Sequence, residues 1–399
     1  MPTLLANATR SSSEAGNLRR LALVTDWFAP RIGGIELHVA DLARALQAQG
    51  IEVTVLTTTP GDASVSGIRI QRILSPLWPG TDLAVSPGLI GKFRAEFAAG
   101  SFDAVHVHIS VVSPAGYAAL LAARAMALPV VVTFHSLLLG TAEILRAANW
   151  LWRWSQWPLV VPGVSGKVAE NLRRAAPGVP VEILPNGTDP SFWGAPAPPR
   201  RQPAKRIIAV SAMRLARKKR PQALLKAFRI ARDCGSAAGK EMTLCLAGDG
   251  PERPRLEQYR KKHRLTDDVT FAGMLSRQAL ASLYREAHLF VMPSIRESFG
   301  IAILEARCAG LPVVALKASG ATEFLREGET ALLADNDDQF ALLWARLAID
   351  DELRNSLSGT DDLVRKFAWP SVAKQHISSY LRAAELVRSS GSALQNSTA

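Results

Sequence analysis

Short apolar runs alternate with amphipathic stretches along most of the chain, and this alternation restricts the fold more than any other feature. Residues 21–25 (LALVT) read as a strand. Residues 35–49 place Leu37, Ala40, Leu42, Ala43 and Leu46 at helical spacing, and Gly50 ends the run. Residues 51–57 (IEVTVLT) read as the next strand. A β-α-β rhythm predicts a mostly parallel sheet with helices on both faces. Further strands are expected at 104–108, 130–133, 159–162 and 181–184. The rhythm then breaks at 195–204 (APAPPRRQPA), where four prolines exclude a helix interior or a central strand. It restarts with strands expected at 206–211, 242–247, 269–271, 289–292 and 312–316, and with a helix over 221–232. The chain has 399 residues, more than twice a typical domain of ~150. Two doubly wound parallel-sheet α/β domains facing a central cleft are therefore expected. The boundaries read as a floppy leader 1–18, a first domain 19–195, a Pro-rich linker 196–205, a second domain 206–370, and a C-terminal helix and tail 371–399. Whether that helix crosses back to the first domain stays open.

Such folds bind ligands at the carboxyl ends of strands, and four constellations lie there. In 26–39 (DWFAPRIGGIELHV) a strand runs into Gly33-Gly34 and then a helix. The pair reads equally as an anion-binding loop at a helix N-terminus or as a plain βα turn. In 290–314 a strand ends near Pro293-Ser294, and a polar loop leads into a helix from about Gly300. Gly310 is placed to end that helix. The N–H groups of Ser298, Phe299 and Gly300 should point into the strand-end crevice. Glu297 and Glu305, eight positions apart, suit hydroxyls of a sugar or ribose, since a carboxylate accepts two hydrogen bonds well. A solvated face is a poor account of Glu305, whose neighbours are nearly all apolar. In 213–221 (MRLARKKRP) five of nine residues are basic. Arg214 and Lys219 could clamp a diphosphate, the alternative being a solvated basic loop. Lastly, His106 and His108 share one face of a strand and read mainly as structural, whereas His135 sits at a strand's carboxyl end.

Taken in order, these stretches resemble the retaining nucleotide-sugar glycosyltransferases of the family-4 type, with the GT-B fold of two Rossmann-like domains. The match runs through GGIELHV, DAVHVH at 103–108, TFH at 133–135, VS at 164–165 and PNGTD at 185–189. It continues through RLARKK from 214, LAGDGPE at 246–252, VTFAG at 269–273 and PSIRESFGIAILEA at 293–306. It covers roughly residues 20–370. The resemblance implies that His135, Glu297, Arg214 and Lys219 are catalytic. It implies that Gly33, Gly34, Gly248, Ser298, Phe299, Gly300, Ile301 and Glu305 join them around the donor. Gly34 would meet the phosphate or sugar, Arg214 and Lys219 the leaving diphosphate, Glu297 the sugar hydroxyls, Glu305 the ribose, and His135 the reacting sugar. Breaking a sugar–phosphate bond develops negative charge on the diphosphate, which fixed cations and helix N–H groups stabilise. The expectation is accordingly that no metal or other cofactor is needed. Asp335-Asn336-Asp337 spells a D-x-D, but it precedes a helix-like run and reads as a cap or solvated loop. Departures from the family pattern are Arg220 and Thr330, where glycine is usual, and SGATE at 319–323.

The first domain would hold the acceptor. Residues 137–160 carry four of the nine tryptophans, interleaved with Arg146 and Arg153. Such a stretch suits either an anionic membrane surface or a buried helix pair. The expected acceptor is a lipid, lipid-linked saccharide or saccharide, in glycolipid or cell-envelope polysaccharide synthesis. The net charge of +12 is then divided between a diphosphate clamp and the acceptor side, with no nucleic acid required. Three cysteines without metal-ligand spacing favour a reducing compartment. The N-terminus lacks a signal-peptide core, and no apolar run reaches the ~20 residues of a membrane span. A cytoplasmic protein, or one peripheral to the membrane, is expected. Three rival readings are weaker. A dinucleotide oxidoreductase fails for want of the third glycine after Gly248-Asp249-Gly250. A sugar-nucleotide epimerase needs no acceptor site. A nucleic-acid binder rests on charge alone.

Overall fold

The structure, a computed structural model, describes residues 18–396 apart from 32, 63, 80, 82, 111, 137–142, 144–145, 148–152, 195–203 and 360–361. The chain divides into two compact units, Met1–Gly187 with Trp369–Ala399, and Thr188–Ala368. The first unit holds seven strands: β1 (Arg20–Thr25), β2 (Glu52–Thr57), β3 (Arg69–Arg72), β4 (Ala104–Ile109), β5 (Val130–Phe134), β6 (Leu159–Gly163) and β7 (Val181–Ile183). All pair in parallel, in the order β3-β2-β1-β4-β5-β6-β7. Every residue of β4 and β5 is buried, as a parallel sheet covered on both faces requires. The helix Gly34–Gln47 turns Val39, Leu42, Ala43 and Leu46 toward the sheet core. The long helix Trp369–Asn396 adds Ala373, Tyr380 and Ala383 to that same core.

The second unit holds β8 (Arg206–Ala212), β9 (Glu241–Ala247), β10 (Val269–Gly273), β11 (Leu289–Met292), β12 (Val313–Leu316) and β13 (Ala331–Ala334). These strands are also parallel, in the order β10-β9-β8-β11-β12-β13. Both sheets are doubly wound, reversing direction beside β1 and beside β8. This is the two-domain, Rossmann-like α/β architecture the sequence leads one to expect.

The two units part between Gly187 and Thr188, and the expected Pro-rich linker at 196–205 lies largely outside the described residues. Local packing explains the position. Thr188 N–H donates to Phe367 O at 2.8 Å, and Asp189 caps the short helix Pro190–Trp193. The buried Trp193 ring then packs 5.7 Å from Tyr284. Gly187 belongs to the other side, because a Cβ there would lie 2.4 Å from the Trp369 ring. Two strands, β3 and β13, go beyond those expected from the sequence. Among the described residues no helix is long and apolar enough to cross a membrane.

Candidate active site

In the second unit the strand order reverses between β8 and β11, where open parallel sheets collect ligands beyond their carboxyl ends. The chain leaving β8 makes a short turn at Arg217–Lys219. The chain leaving β11 carries Glu297. The two meet in an ion pair, Lys219 Nζ to Glu297 Oε2 at 2.6 Å, with side chains 22% and 12% exposed. Arg214 lies on the same β8 loop and is exposed. Partial desolvation, and next the charges of Lys219 and Arg214, hold the Lys218 ammonium below the usual lysine range, while Glu297 acts in the opposite sense. Three cations and one carboxylate are thus within electrostatic reach of one another. Lys218 does not stand out in the sequence, although it belongs to the same basic run.

Arg220 follows at φ +60°, in the left-handed region that favours glycine. Arg220 is held by hydrogen bonds to Pro293 O at 3.1 Å and to Asp337 Oδ2 at 2.6 Å. The neighbouring Asn336 caps the helix Asp337–Ile349 through Gln339 N–H, and Asp335 pairs with Lys317 at 2.9 Å. The Asp335-Asn336-Asp337 triplet is therefore a helix start.

The helix Ile301–Cys308 begins at Gly300, φ +93°, and no side chain caps it. The first N–H groups of a helix have no intrahelical partner and favour an anion. The Phe299 ring is buried between Phe324 and Phe367, at 5.3 and 5.5 Å. Only its backbone N–H can serve a ligand. A further glycine supports the loop: Gly320 N–H donates to Glu297 O at 2.9 Å, and a Cβ there would fall 2.4 Å from that oxygen. Gly248, at φ +127°, has a similar origin, since a Cβ would lie 2.0 Å from Met213 O. Glu305 is half-buried one turn into the helix. After burial itself, its charge helps raise the pKa of Tyr284.

The first unit presents a different chemistry. Gly33 is the N-cap of the helix Gly34–Gln47, in extended conformation. A Cβ at Gly33 would lie 2.4 Å from a carboxylate oxygen of Glu36, which is buried and paired with Arg31 at 3.0 Å. The glycine thus makes room for Glu36, a residue that the sequence does not mark. Gly34 is exposed beside it. His135 follows β5; its N–H donates to Ile109 O, and its Nε2 lies 2.9 Å from His108 Nδ1. Burial, and next the His376 ring, push the His135 pKa down to about 3. Burial also holds His38, His106 and His108 well below the usual histidine range and takes His376 to about 4. At neutral pH all five imidazoles are uncharged. At the carboxyl end of β1, Asp26 accepts N–H bonds from Ala115 at 2.9 Å and Gly116 at 3.4 Å, and burial pushes its pKa up to about 6.

Residues 32–192 match the family model described as Glycosyltransferase Family 4, and residues 198–360 match that of Glycosyl transferases group 1. The chain belongs to the group 1, family-4 type glycosyltransferases. It is 27% identical over 373 residues to a phosphatidylinositol N-acetylglucosaminyltransferase component of Arabidopsis thaliana, covering 89% of this chain and 80% of the relative. It is 27% identical over 396 residues to phosphatidyl-myo-inositol mannosyltransferase of Mycobacterium leprae, covering 94% and 99%. In fold it matches sucrose-phosphate synthase of Thermosynechococcus elongatus, with a TM-score of 0.76, 23% identity, and coverage of 91% and 98%. The fold of this glycosyltransferase is GT-B.

Within the glycosyltransferase, the second unit brings Arg214, Lys219, Glu297, Ser298, Phe299, Gly300, Ile301 and Glu305 to one end of its sheet. Gly33, Gly34 and His135 stand at the strand ends of the first unit. The Trp-rich stretch lies largely outside the described residues. Of its tryptophans, Trp154 and Trp157 are half-buried, and Arg124 stacks 3.8 Å over the Trp157 ring. Among the described residues of this unit, Leu74 (68%) and Trp78 (60%) are the most exposed large apolar side chains.

Proposed function

We propose that this glycosyltransferase moves a hexose, with retention of anomeric configuration, from a nucleoside-diphosphate sugar to an inositol-bearing lipid. The observation that carries the donor half is the Lys219–Glu297 pair at the reversal point of the second sheet, flanked by Arg214, Lys218 and an uncapped helix start. Charge develops on the diphosphate as the sugar–phosphate bond breaks. Preorganised cations and N–H groups stabilise it most where water is partly excluded. Lys219 and Arg214 are assigned to that charge, with the N–H groups of Ser298, Phe299 and Gly300. Glu297, oriented by Lys219, accepts hydrogen bonds from sugar hydroxyls, and Glu305 does so from the ribose. His135 is a neutral ring, so it serves as a hydrogen-bond partner of the reacting sugar and not as a cationic acid. Side-chain cations carry the neutralisation in this reading, with no role assigned to a metal.

The acceptor half is supported by the two curated relatives, both named for phosphatidylinositol. The exposed Leu74 and Trp78 would suit a lipid surface. The test is a turnover assay with UDP- and GDP-linked mannose, glucose and N-acetylglucosamine, with and without phosphatidylinositol vesicles. Release of nucleoside diphosphate from one donor, dependent on the vesicles and matched by a glycolipid in mass spectra, is expected. Donor turnover that ignores phosphatidylinositol but responds to a free saccharide would refute the lipid acceptor.

A further inference from the structure

Five of the seven histidines lie in the first unit, and three of them form a chain that ends at the site. His106 has both ring nitrogens committed, Nδ1 to Tyr380 OH at 2.8 Å and Nε2 to Thr133 Oγ1 at 2.7 Å. His108 lies against this pinned ring, with centroids 4.0 Å and planes 37° apart. The parallel register that sets His108 opposite Thr133 fixes its backbone. Its Nδ1 lies 2.9 Å from His135 Nε2, while its own Nε2 is buried without a partner among the described residues. His135 is half-buried, and its backbone N–H is spent on Ile109 O at 2.9 Å. The contact with His108 occupies Nε2 and leaves Nδ1 as the ring nitrogen that can meet a substrate.

We propose that His108 is a positioning residue for glycosyl transfer: it fixes His135 as the tautomer protonated at Nδ1, so that His135 offers the reacting sugar an N–H donor. A neutral imidazole carries one donor and one acceptor, and its tautomer follows from the bond the other nitrogen makes. Both rings are uncharged at neutral pH, so a single proton lies in the 2.9 Å contact. Two arrangements are open to it. If His135 donates from Nε2, His108 must carry its own proton on Nε2, and that N–H is buried with nothing to accept it. If His108 donates from Nδ1, its Nε2 is bare and only a lone pair is buried. In folded chains a buried N–H without an acceptor is rarer than a buried acceptor left short. His135 Nδ1 belongs to a half-buried residue at a strand end, where water or a ligand can serve it in either state, so His108 decides. The partner on the sugar must then be an oxygen that accepts, a hydroxyl or the ring oxygen. The role in transfer rests on the assignment of His135 to the reacting sugar; the tautomer does not.

The test is a two-bond 1H–15N correlation spectrum of the full chain, labelled with 15N-histidine, at pH 7. It tells a protonated ring nitrogen from a bare one. The His135 signals are those missing from His135→Ala. They should show a proton on Nδ1 and none on Nε2, the less common tautomer of a free imidazole. His108→Phe keeps a ring in the stack and removes the donor. It should return His135 to the common tautomer and lower nucleoside-diphosphate release from the same panel of UDP- and GDP-linked sugars by about tenfold. His108→Asn, whose amide N–H can stand where Nδ1 stood, should restore the tautomer and most of the rate. A merely structural role for His108 would not part these two variants. Circular dichroism checks folding, and His108→Gln, whose amide reaches to Nε2 instead, replaces His108→Phe if the latter does not fold. A proton on His135 Nε2 in the wild type overturns the proposal. So does a His108→Phe or His108→Gln variant that matches His108→Asn in tautomer and rate. Wild-type turnover in His135→Ala would instead refute the assignment of His135 to the sugar, and the role in transfer with it, even where the spectrum shows the expected tautomer.

Discussion

The two units treat ionisable groups in opposite ways. In the first, Asp26 and His38, His106 and His108 are buried, and burial drives each toward its uncharged form. In the second, Lys219 and Glu297 keep part of their surface in water and pair with each other, with Arg214 and Lys218 exposed beside them. Burying a charge without a partner costs far more than a domain can offset. A partly exposed pair at a strand end reduces that cost and keeps its charges available. The second unit is therefore equipped to stabilise charge, and the first to offer neutral hydrogen bonds.

The largest effect should come from breaking the charged side of this contrast. Lys219→Ala or Glu297→Ala should lower kcat by about 10²–10³, the range seen when one preorganised electrostatic contact is lost. Stability should fall by about 1–3 kcal/mol, because removing one partner leaves the other largely desolvated charge without its hydrogen bond. Rates measured on the glycosyltransferase, set beside a melting curve, separate the two. Wild-type turnover in both variants would remove this pair from the chemistry.

A smaller effect tests the buried side. Asp26 is easier to protonate folded than unfolded, since its pKa rises from 3.8 to about 6. Its contribution is fully present below about 4 and is lost as pH climbs toward 6. Asp26→Asn removes this titration. The variant-minus-wild-type stability should therefore rise by about 3 kcal/mol across that window, at ~1.4 kcal/mol per pKa unit. Any hydrogen bond lost to Gly116 adds an offset that does not vary with pH. Denaturant curves at pH 4 and 7 read the slope, and a flat difference would mean that Asp26 is ionised and well solvated.

Much of this contrast was legible in the sequence, and the parts that were not share a physical reason. Inner strands such as β4 and β5 announce themselves because both faces are buried and the apolar run is continuous. The edge strand β3 reads RIQR, alternates with solvent, and carries no such run. β13 is only ALLA, too short to separate from the end of a loop. The residues proposed to meet the donor stand out because motif order places them at strand ends. Glu36, Lys218 and Gly320 do not, because their importance is a matter of contact. Nothing in the letters shows Glu36 lying against Gly33, or Gly320 donating to the carbonyl of a residue 23 positions earlier. The histidine cluster was half legible: alternation put His106 and His108 on one face, but His38 and His376 reach it only through tertiary packing.

The smallest expected effect concerns Arg220, which stands at the border of the charged group. Its left-handed backbone costs about 1 kcal/mol for a residue with a Cβ. Arg220→Gly relieves that strain. It also gives up the bonds to Pro293 O and Asp337, worth about 1 kcal/mol for the first and less for the exposed pair, and it frees the unfolded chain. These terms nearly cancel, so stability should change by less than about 1 kcal/mol. Because both bonds of Arg220 go to groups other than Lys219 and Glu297, turnover should stay within about threefold, roughly 0.7 kcal/mol in barrier. A hundredfold loss of turnover with an unchanged melting curve would place Arg220 among the substrate-facing cations. The boundary between structural and working charge in the second unit would then lie one residue later than Lys219.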